Sequence, residues 1–406
     1  MHILLITHYY EPDAGVAAIR LSRLAKRLVK RGHRVTVLAP MPHYQKGRID
    51  PPYRGHFSFR EDREGVETLR VWLWTHPSPS IKYRLLSQLS FMILGFIRGL
   101  FLPRPDVILV ENQPVFTGFM AWGLAKFKRR PYLLNVSDFW PEYLIVSGVT
   151  QEDSLIYRLF KAIVNRTQKS AAGIVVLYPS LLEKIEARIG KVERSAVIYS
   201  AVELDRIHPE IDASAFRAAQ KISRRWIVNF VGILGYHIDL ETMIKAMQAL
   251  QHRADIGFIF VGAGTQLPLL EKVIAAGELN NCQLLGWLAF DQIPQVWAAS
   301  DLCFWAVKDN ELDRLRYQAK LYEALASGTP PVIALEGMMS DIIGAEQIGK
   351  TVAFGDSEAL AGAILAYIDD PQSLQDSAQK ARAYAEAHYD PEKVMEAYEQ
   401  MLMAIR

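Results

Sequence analysis

The sequence predicts an α/β protein of two doubly wound domains, and two observations carry this prediction. The chain opens with an apolar segment, HILLIT, then a helical segment, then a second apolar segment, HRVTVLAP, which is the order of a βαβ unit. The same alternation restarts at RWIVNFVGIL, after an irregular polar stretch at 203–225. A length of 406 residues also suits two domains. Because such sheets bind ligands outside the carboxyl ends of their strands, we expect functional residues just after strands, around a shared crevice.

The individual elements follow from periodicity. In the first half, AAIRLSRLAKRLVKRG has helical spacing of apolar residues, and strands are expected at DVILVEN, PYLLNVSD, GIVVLYP and AVIYS. In the second half, strands are expected at IGFIFVGAG, CQLLGW, DLCFWA and PVIAL, with helices between them. The last helix, DPEKVMEAYEQMLMAI, is expected to pack back on the first half. The predicted domains are therefore 1–203 and 204–385, with a returning helix at 386–406.

Charge is divided unequally along the chain. Residues 1–200 contain 29 Lys and Arg against 16 Asp and Glu, whereas the remainder contains 17 against 28. The basic half is expected to face an anionic membrane surface or a phosphate-rich substrate. Nucleic acid is not expected, because the basic residues are not grouped with aromatic residues that could stack on bases. Two cysteines give neither a disulfide framework nor metal-ligand spacing, and no signal peptide is expected before the first strand.

One apolar segment bears on the membrane question. Residues 84–103, RLLSQLSFMILGFIRGLFLP, have an uninterrupted apolar stretch that is too short to span a bilayer. Three alternatives remain open: a buried helix, an amphipathic helix lying at a membrane interface with arginines at its edges, and, least favoured, a transmembrane span.

Glycines follow three of the predicted strands and could admit a phosphate. Gly15 stands at the start of the first helix, and FVGILG and FVGAG place Gly232, Gly235, Gly262 and Gly264 after strands of the second half. Backbone N–H groups at such places can point at an anion. Any one of these glycines alone is more typical of a plain turn, whereas the three turns together favour a phosphate-bearing ligand. The chain has no GxGxxG, HExxH, Walker A or GxSxG motif, which argues against dinucleotide, metalloprotease, P-loop and α/β-hydrolase readings.

Polar residues at two further places could contact a substrate. NVSDFWPE puts Asp138 after a strand, where a carboxylate can bind sugar hydroxyls or take a proton, or can cap a helix. RLRYQAKLYEALASGTPP reads as a short helix ended by glycine and two prolines, with Lys320 and Glu323 on one face. That pair is either a surface ion pair or part of a ligand site.

In this order, YEPDAGVAAIR, NVSDFWPE, FVGILG, FVGAGTQLPLLEKVI, LLGWLAFDQIPQVWAASDLCFW and KLYEALASGTPPVIA resemble the GT-B glycosyltransferases of family four. The chain is most similar to the branch that assembles bacterial surface polysaccharides, including colanic-acid and O-antigen fucosamine transferases. The resemblance implies two Rossmann-like domains facing a central cleft, with the nucleotide sugar held by the second domain and the acceptor by the first. It also implies transfer with retention of configuration and without a required metal.

The resemblance assigns expected roles to several residues. Gly15 matches the glycine loop near the donor diphosphate, and Glu323 matches the second glutamate of the E-x7-E element, which binds the ribose hydroxyls. Lys320 is expected to reach a phosphate, with Arg314 and Arg316 as alternatives. The further expected donor contacts are Gly232, Gly235, His237 and Gly262. Asp138 is the candidate for contact with the acceptor or a sugar hydroxyl, and the only catalytic candidate.

Three positions depart from the family pattern. Leu315 stands where the first glutamate of E-x7-E is expected, so one of the preceding acidic residues would replace it: Asp309, Glu311 or Asp313. His237 lies where the family usually has a lysine. Ser200-Ala201 replaces the family's Asn-Gly.

The expected function is transfer of a sugar from a nucleotide sugar to a lipid-linked or other glycan acceptor, with no cofactor. A UDP-sugar is favoured over a GDP-sugar. The expected location is the cytoplasm, peripheral to the inner face of the cell membrane. The alternatives are an enzyme of the same fold acting on a soluble acceptor, an epimerase-type relative, or a catalytically silent protein that binds a nucleotide sugar or a partner enzyme.

Overall fold

The computed structural model describes residues 1–13, 15–44, 46–78, 80–146 and 150–406. The chain divides into two compact units. The N-terminal unit comprises Met1–Tyr199 together with Val394–Arg406, and the C-terminal unit comprises Ser200–Lys393. Each unit has one largely parallel sheet flanked by helices, which confirms the predicted fold class.

The sheet of the N-terminal unit has the strand order β3-β4-β2-β1-β5-β6-β7-β8. Its strands are β1 (His2–Ile6), β2 (Arg34–Pro40), β3 (Ser58–Arg63), β4 (Val66–Val71), β5 (Val107–Glu111), β6 (Tyr132–Val136), β7 (Gly173–Val176) and β8 (Ser195–Val197). Its helices are α1 (Val16–Lys30), α2 (Ile81–Leu100), α3 (Val115–Lys128), α4 (Tyr143–Val146), α5 (Leu155–Ser170) and α6 (Pro179–Ile189). The predicted βαβ opening is present, with His2 in register with Arg34 in parallel strands.

Strand β3 pairs antiparallel with β4, an edge hairpin that the sequence reading did not include. Its turn has positive φ at both central residues, 54° at Glu64 and 82° at Gly65. Two successive left-handed residues are the signature of a tight hairpin turn, for which Gly65 is well suited. The signal in the sequence was a Glu-Gly pair between two short alternating segments.

The C-terminal helix (Pro391–Ile405) completes the core of the N-terminal unit. Its buried residues Met395, Tyr398 and Leu402 pack with the apolar residues of α1 and of the central strands. The helical spacing of these residues presents one apolar stripe to the sheet.

The sheet of the C-terminal unit is parallel and has the order β11-β10-β9-β12-β13-β14. Its strands are β9 (Trp226–Ile233), β10 (Ile256–Ala263), β11 (Cys282–Gly286), β12 (Leu302–Ala306), β13 (Pro331–Ala334) and β14 (Lys350–Val352). Its helices are α7 (Ser214–Ala219), α8 (Leu240–Ala249), α9 (Leu267–Ala275), α10 (Ile293–Ala298), α11 (Glu311–Leu315), α12 (Lys320–Ala326), α13 (Met338–Glu346), α14 (Ser357–Ile368) and α15 (Pro371–His388).

The segment at 314–331 is not the single helix that its sequence suggested. Helix α11 ends at Leu315, and Arg316 has extended backbone angles, φ −84° and ψ 141°. Helix α12 then starts at Lys320 and ends in a turn where Gly328 has a φ of 66°. The predicted end at the glycine and prolines is therefore present, but the break in front of Lys320 was not foreseen.

Candidate functional site

The order of strands in the C-terminal unit reverses between β9 and β12. The chain runs from β9 outward through β10 and β11 on one side, and from β12 through β13 and β14 on the other. Open α/β sheets bind ligands outside the carboxyl ends of the strands at such a point. The two strands pair in parallel, with Val228 beside Leu302 and Asn229 beside Cys303.

Lys320 places its ammonium group beside one aromatic residue of each of these two strands. The Lys320 Nζ lies 4.4 Å from the ring centroid of Phe230 on β9 and 4.9 Å from that of Trp305 on β12. A positive charge is stabilised when it lies above the face of an aromatic ring. An aromatic ring is nevertheless a weaker hydrogen-bond acceptor than a carbonyl or carboxylate oxygen. A cation therefore lies at the switch point of the sheet.

The ammonium of Lys320 is buried and has no hydrogen-bond partner in the part of the chain that is described. The residue as a whole keeps partial exposure, so the burial concerns mainly the end of the side chain. Burial lowers the pKa of Lys320 to about 7, against smaller opposing effects of Cys303 and Asp313. An unpaired buried cation is costly unless an anion binds to it. No ion pair joins Lys320 to Glu323 among the described residues, so the surface-pair alternative is not realised.

Three other residues share this electrostatic environment. Burial is the main cause of the lowered pKa of His237, Asp313 opposes it, and the positive charges of Lys320 and Arg316 reinforce it. Asp313 is buried, and its Oδ2 accepts a hydrogen bond of 2.5 Å from Asn310. The structure therefore brings together His237, Arg316 and Lys320, with one acidic neighbour.

Asp313 is also the best placed of the three acidic residues considered as replacements at the Leu315 position. Its Oδ1 is buried without a partner among the described residues. Asp309, in contrast, forms an ion pair of 2.9 Å with Arg314, whose guanidinium also pairs with Glu336 at 2.8 Å. Arg314 is thus committed to other partners, and of the two arginines Arg316 lies in the environment of Lys320.

Two of the predicted glycines border the same space. A Cβ atom added to Gly232 would lie 3.6 Å from the Cε of Lys320, with no nearer contact. A Cβ added to Gly235 would lie 3.0 Å from the Nδ1 of His237. The backbone at these two glycines therefore lies close to Lys320 and His237, two of the residues predicted to bind the nucleotide sugar.

The other two glycines after strands have a structural explanation. A Cβ at Gly262, whose φ is 135°, would lie 1.8 Å from the carbonyl oxygen of Gly232. A Cβ at Gly264, whose φ is 154°, would lie 2.3 Å from the carbonyl oxygen of Leu234. Both positions require glycine because the backbones after β9 and β10 meet there.

Glu323 lies on α12 one turn after Lys320 and is half-buried. One of its carboxylate oxygens, Oε2, accepts a hydrogen bond of 3.1 Å from the Nε1 of Trp297, which is buried on α10. The hydrogen bond from the indole fixes the direction of the Glu323 carboxylate. A carboxylate held in this way is suited to positioning a ligand.

A cavity of about 300 Å³ opens at the carboxyl ends of β9, β10 and β11. Its lining residues include Phe230, Gly262, Glu271 and Gly286. The cavity shares Phe230 with the Lys320 site, so an elongated ligand could occupy both.

Two predicted site residues belong to the N-terminal unit. Gly15 precedes α1 with extended backbone angles, and a Cβ there would lie 3.2 Å from the ring of Tyr44. Asp138 follows β6, and its Oδ1 accepts a hydrogen bond of 3.0 Å from the N–H of Phe139. The Nε2 of Gln113 donates to the other carboxylate oxygen at 3.4 Å. The next helix begins only at Tyr143.

The sequence reading missed Asn229 and Trp305. Neither atom of the Asn229 amide has a partner among the described residues, although the residue is fully buried on β9. The Nε1 of the buried Trp305 is likewise without a partner in the described part of the chain. A polar residue inside the apolar run WIVNFVGI was the available signal. Within the described ranges, no group of three or more His, Cys, Asp or Glu is placed to hold a metal ion.

Comparison with known proteins gives matches over most of the chain. Residues 15–201 match the glycosyl transferase 4-like domain, and residues 212–386 match the glycosyl transferases group 1 family. A glycosyltransferase of Methanocaldococcus jannaschii, MJ1607, described as uncharacterized, is 24% identical over 377 residues, which are 91% of this chain and 90% of the relative.

Solved structures show the same fold. The HepE protein of Anabaena in complex with UDP has a TM-score of 0.74 and 18% identity, and the match covers 100% of both chains. WaaG, a glycosyltransferase involved in lipopolysaccharide biosynthesis, has a TM-score of 0.68 and 16% identity over 97% of this chain and 99% of its own. With both halves matched in order, the chain belongs to the glycosyltransferases built from a glycosyl transferase 4-like domain and a group 1 domain, which have the GT-B fold.

Proposed function

We propose that the protein transfers a sugar from a nucleotide diphosphate sugar to a hydroxyl group of a glycan acceptor, with retention of configuration and without a metal ion. The observation that carries the proposal is the unpartnered, buried ammonium of Lys320 at the switch point of the C-terminal unit. A diphosphate bound there would supply the missing partner. The UDP complex of HepE, a protein of the same fold, supports a UDP-sugar as the donor.

The proposed chemistry makes modest demands on side chains. As the bond between the sugar C1 and the diphosphate oxygen breaks, negative charge builds on the leaving diphosphate. Lys320 stabilises that charge together with Arg316, whose positive charge also acts on His237. The acceptor hydroxyl forms the new bond to C1, and its proton leaves on the diphosphate, which accounts for retention by attack on the same face. His237, neutral because burial lowers its pKa, can donate a hydrogen bond to a phosphate oxygen.

The remaining donor contacts are assigned by the same reasoning. Glu323, oriented by Trp297, would accept hydrogen bonds from the two ribose hydroxyls. Asp313 would take the place of the glutamate that is absent at Leu315. Gly232 and Gly235 would let the diphosphate approach the backbone, while Gly262 lines the adjoining cavity, which would hold the nucleoside. In the N-terminal unit, Gly15 is proposed for the donor diphosphate and Asp138 for the acceptor hydroxyl.

Isothermal titration calorimetry with UDP-glucose, GDP-mannose and ADP-glucose tests the donor assignment. We expect a UDP-sugar to bind best, and Glu323→Ala to weaken its binding by about tenfold or more, because two charge-assisted hydrogen bonds are lost. Glu278→Ala, a change of an exposed glutamate away from the cavity, is the matched control and should leave the affinity unchanged. Equal affinity in Glu323→Ala and the wild type would show that the ribose assignment is wrong.

A silent binding protein is the second candidate, and Leu315 is the observation that favours it. The two candidates differ in turnover. We expect the purified protein to release UDP from its donor slowly by hydrolysis and faster when a suitable glycan is added. Tight donor binding with no UDP release under either condition would favour the silent protein.

We further propose that the acceptor is lipid-linked and that the protein works in surface polysaccharide synthesis, at the cytoplasmic face of the membrane. The structural support is α2, which packs one face on α3 through Gly95 and Gly99. Its other face exposes Ile93, with 54% of its surface accessible, and Ile97, with 45%. No helix among the described residues is long and apolar enough to cross a bilayer. The helix would therefore lie on the surface.

Sedimentation with anionic vesicles tests this surface. The double change of Arg84→Gln and Arg98→Gln should reduce binding by about tenfold or more, because each basic residue near an anionic surface contributes about 1 kcal/mol. A control with the same loss of charge, Lys191→Gln with Lys272→Gln, should bind like the wild type. If the two double variants bind vesicles equally well, α2 is not the membrane-docking face. The proposal of a soluble acceptor would then be favoured over that of a lipid-linked one.

A further inference from the structure

A second cluster of side chains with unused hydrogen-bonding capacity lies in the N-terminal unit, where β1 and β2 end. The rings of His8 and His43 are 5.3 Å apart and perpendicular. The ring of Tyr9 is stacked on His43 at 5.9 Å and 26°, and the ring of Tyr44 meets Tyr9 edge-on at 5.2 Å. The strands β1 and β2 are neighbours in the sheet, so the segments that follow them converge.

The position of His43 is fixed by hydrogen bonds. The Oδ1 of Asp13 accepts the backbone N–H groups of His43 and Tyr44, at 3.1 and 2.9 Å. The ring Nδ1 of His43 lies 2.9 Å from the carbonyl oxygen of Met41. Because a carbonyl can only accept, Nδ1 carries the hydrogen, and the lone pair of the ring is on Nε2. That Nε2 forms no hydrogen bond with any described residue.

Both imidazoles are suited to a neutral ligand. Only 1% of His8 is exposed, and its Nδ1 is buried without a partner in the described part of the chain. Burial lowers the pKa of His8 well below the usual value, and it also lowers the pKa of His43 against the opposing effect of Asp13. Neutral imidazoles bind hydroxyl groups well and themselves offer no charge to a phosphate. Arg84 and Asp13 both act electrostatically on the hydroxyl of Tyr9, with opposite signs. Metal binding is disfavoured, because no third ligand joins the two histidines among the described residues.

The aromatic rings of Tyr9 and Tyr44 supply the apolar surface that a sugar-binding site needs besides its hydrogen-bonding groups. Tyr9 is partly exposed, and Tyr44 is exposed at 37%. Burial raises the pKa of the Tyr9 hydroxyl to about 12, so it remains a hydrogen-bond donor at neutral pH. A phenol ring that is fixed by neighbours presents an apolar face and a polar edge, which suits the CH groups and hydroxyls of a pyranose.

We propose that Tyr9, His43 and Tyr44 bind a pyranose at the reacting end of the acceptor, with a hydroxyl donating to the Nε2 of His43 and His8 holding the His43 and Tyr9 rings in place. This inference rests on the proposed transferase function and narrows its substrate class. The acceptor presents a neutral sugar at this site, so the enzyme extends an existing glycan. It does not add the first sugar to a lipid phosphate, and a priming reaction must precede it.

Saturation-transfer difference NMR tests the proposal, with methyl glycosides of glucose, mannose, galactose and N-acetylglucosamine as probes and geranyl phosphate as the competing class. UDP is present, so that the nucleotide site is filled. His43→Asn keeps a donor where Nδ1 was and removes Nε2, whereas His43→Gln places an amide near the position of Nε2. Tyr9→Leu removes the aromatic face, and His56→Asn, an exposed histidine of the same unit, is the control.

We expect at least one glycoside to receive saturation from the wild type and from His56→Asn. The effect should fall several-fold in His43→Asn and Tyr9→Leu and recover in part in His43→Gln. The absence of a glycoside effect in the wild type, equal effects in all variants, or an effect of geranyl phosphate that depends on His43 would each overturn the proposal. Circular dichroism verifies the folding of each variant. If a His43 variant does not fold, Tyr9→Leu still tests the proposal.

Calorimetry with UDP on the same samples separates this inference from the proposed function. UDP binding should change little in all these variants, because they leave Lys320 and Glu323, the residues proposed to hold the nucleotide, and Gly15 unaltered. A wild type that binds UDP but no glycoside refutes the acceptor site alone. A wild type that does not bind UDP refutes the donor assignment, whatever the glycosides do.

Discussion

Replacement of Lys320 by methionine should have opposite effects on stability and on donor binding. Methionine has a similar length and keeps the apolar contacts with Phe230 and Trp305, but it removes the charge. The buried ammonium has no hydrogen-bond partner among the described residues of the ligand-free protein. The buried charge of Lys320 therefore lowers the stability of the ligand-free protein, and we infer that its role is to bind the ligand.

The magnitude follows from the pKa. Burial lowers the pKa of Lys320 from 10.5 to about 7, and at ~1.4 kcal/mol per pKa unit this corresponds to roughly 5 kcal/mol. Between pH 7 and 10.5 the unfolded chain holds the proton and the folded chain does not, so the stability of the wild type rises with pH across this window. Below pH 7 the full cost is present. Lys320→Met should therefore raise the free energy of unfolding at pH 6 by about 2–5 kcal/mol, and the gain should shrink towards pH 10.5.

Donor binding should respond in the other direction. Only the charged form of Lys320 pairs with the diphosphate, so Lys320→Met should weaken UDP-glucose binding by tenfold or more. The wild-type affinity should fall about tenfold per pH unit above pH 7, as the free protein loses the proton that the complex retains. UDP-glucose is the appropriate ligand because its diphosphate does not titrate in this range.

Urea unfolding at pH 6 and 9, and calorimetry with UDP-glucose over the same range, measure both effects. Lys350→Met is the matched control, since the Nζ of Lys350 lies 4.6 Å from the ring of Tyr367 outside the site. The reasoning is refuted if Lys320→Met destabilises the ligand-free protein at pH 6, or if it binds UDP-glucose as tightly as the wild type does.

Two further predictions concern the framework of each unit, and both are measured by urea unfolding. Gly262→Ala should destabilise the protein by more than about 2 kcal/mol, because its Cβ would collide with a backbone carbonyl at an unfavourable φ. Gly344→Ala, in a helix with nothing near the new methyl group, should be stabilising by up to about 1 kcal/mol, and a similar loss in both variants would contradict this reasoning. Leu402→Ala should cost about 2–5 kcal/mol, because the residue is fully buried in the core of the N-terminal unit, and a loss below about 1 kcal/mol would argue against tight packing of the C-terminal helix.

The fold could be predicted from the sequence because each central strand is an apolar run buried on both faces. Strands such as Val107–Glu111 and Leu302–Ala306 have no exposed residue, so their pattern is unmistakable. The edge strand Ser58–Arg63 was missed because four of its six residues are charged and the signal of its hairpin lies in the turn. The break between α11 and α12 was missed because no glycine or proline marks it.

The candidate site was predictable in part. Lys320 and Glu323 could be named from their shared helical face and from the resemblance to family-four glycosyltransferases, and Gly232 from its place after a strand. The burial of the Lys320 ammonium between two aromatic residues could not be predicted, because Phe230 and Trp305 come from strands 75 residues apart in the chain. The same holds for His8 and His43, which only the pairing of β1 with β2 brings together.

The path of the chain has a consequence for how the protein is made. The N-terminal unit closes its core with residues 394–406, so the whole C-terminal unit is synthesised before that core can be completed. During translation, the apolar surface that later covers Met395, Tyr398 and Leu402 stays exposed on the nascent chain. The C-terminal unit, by contrast, is continuous and can fold as soon as it leaves the ribosome. Chaperone binding during synthesis is thus expected on the half made first, and it should end only after residues 394–406 have left the ribosome.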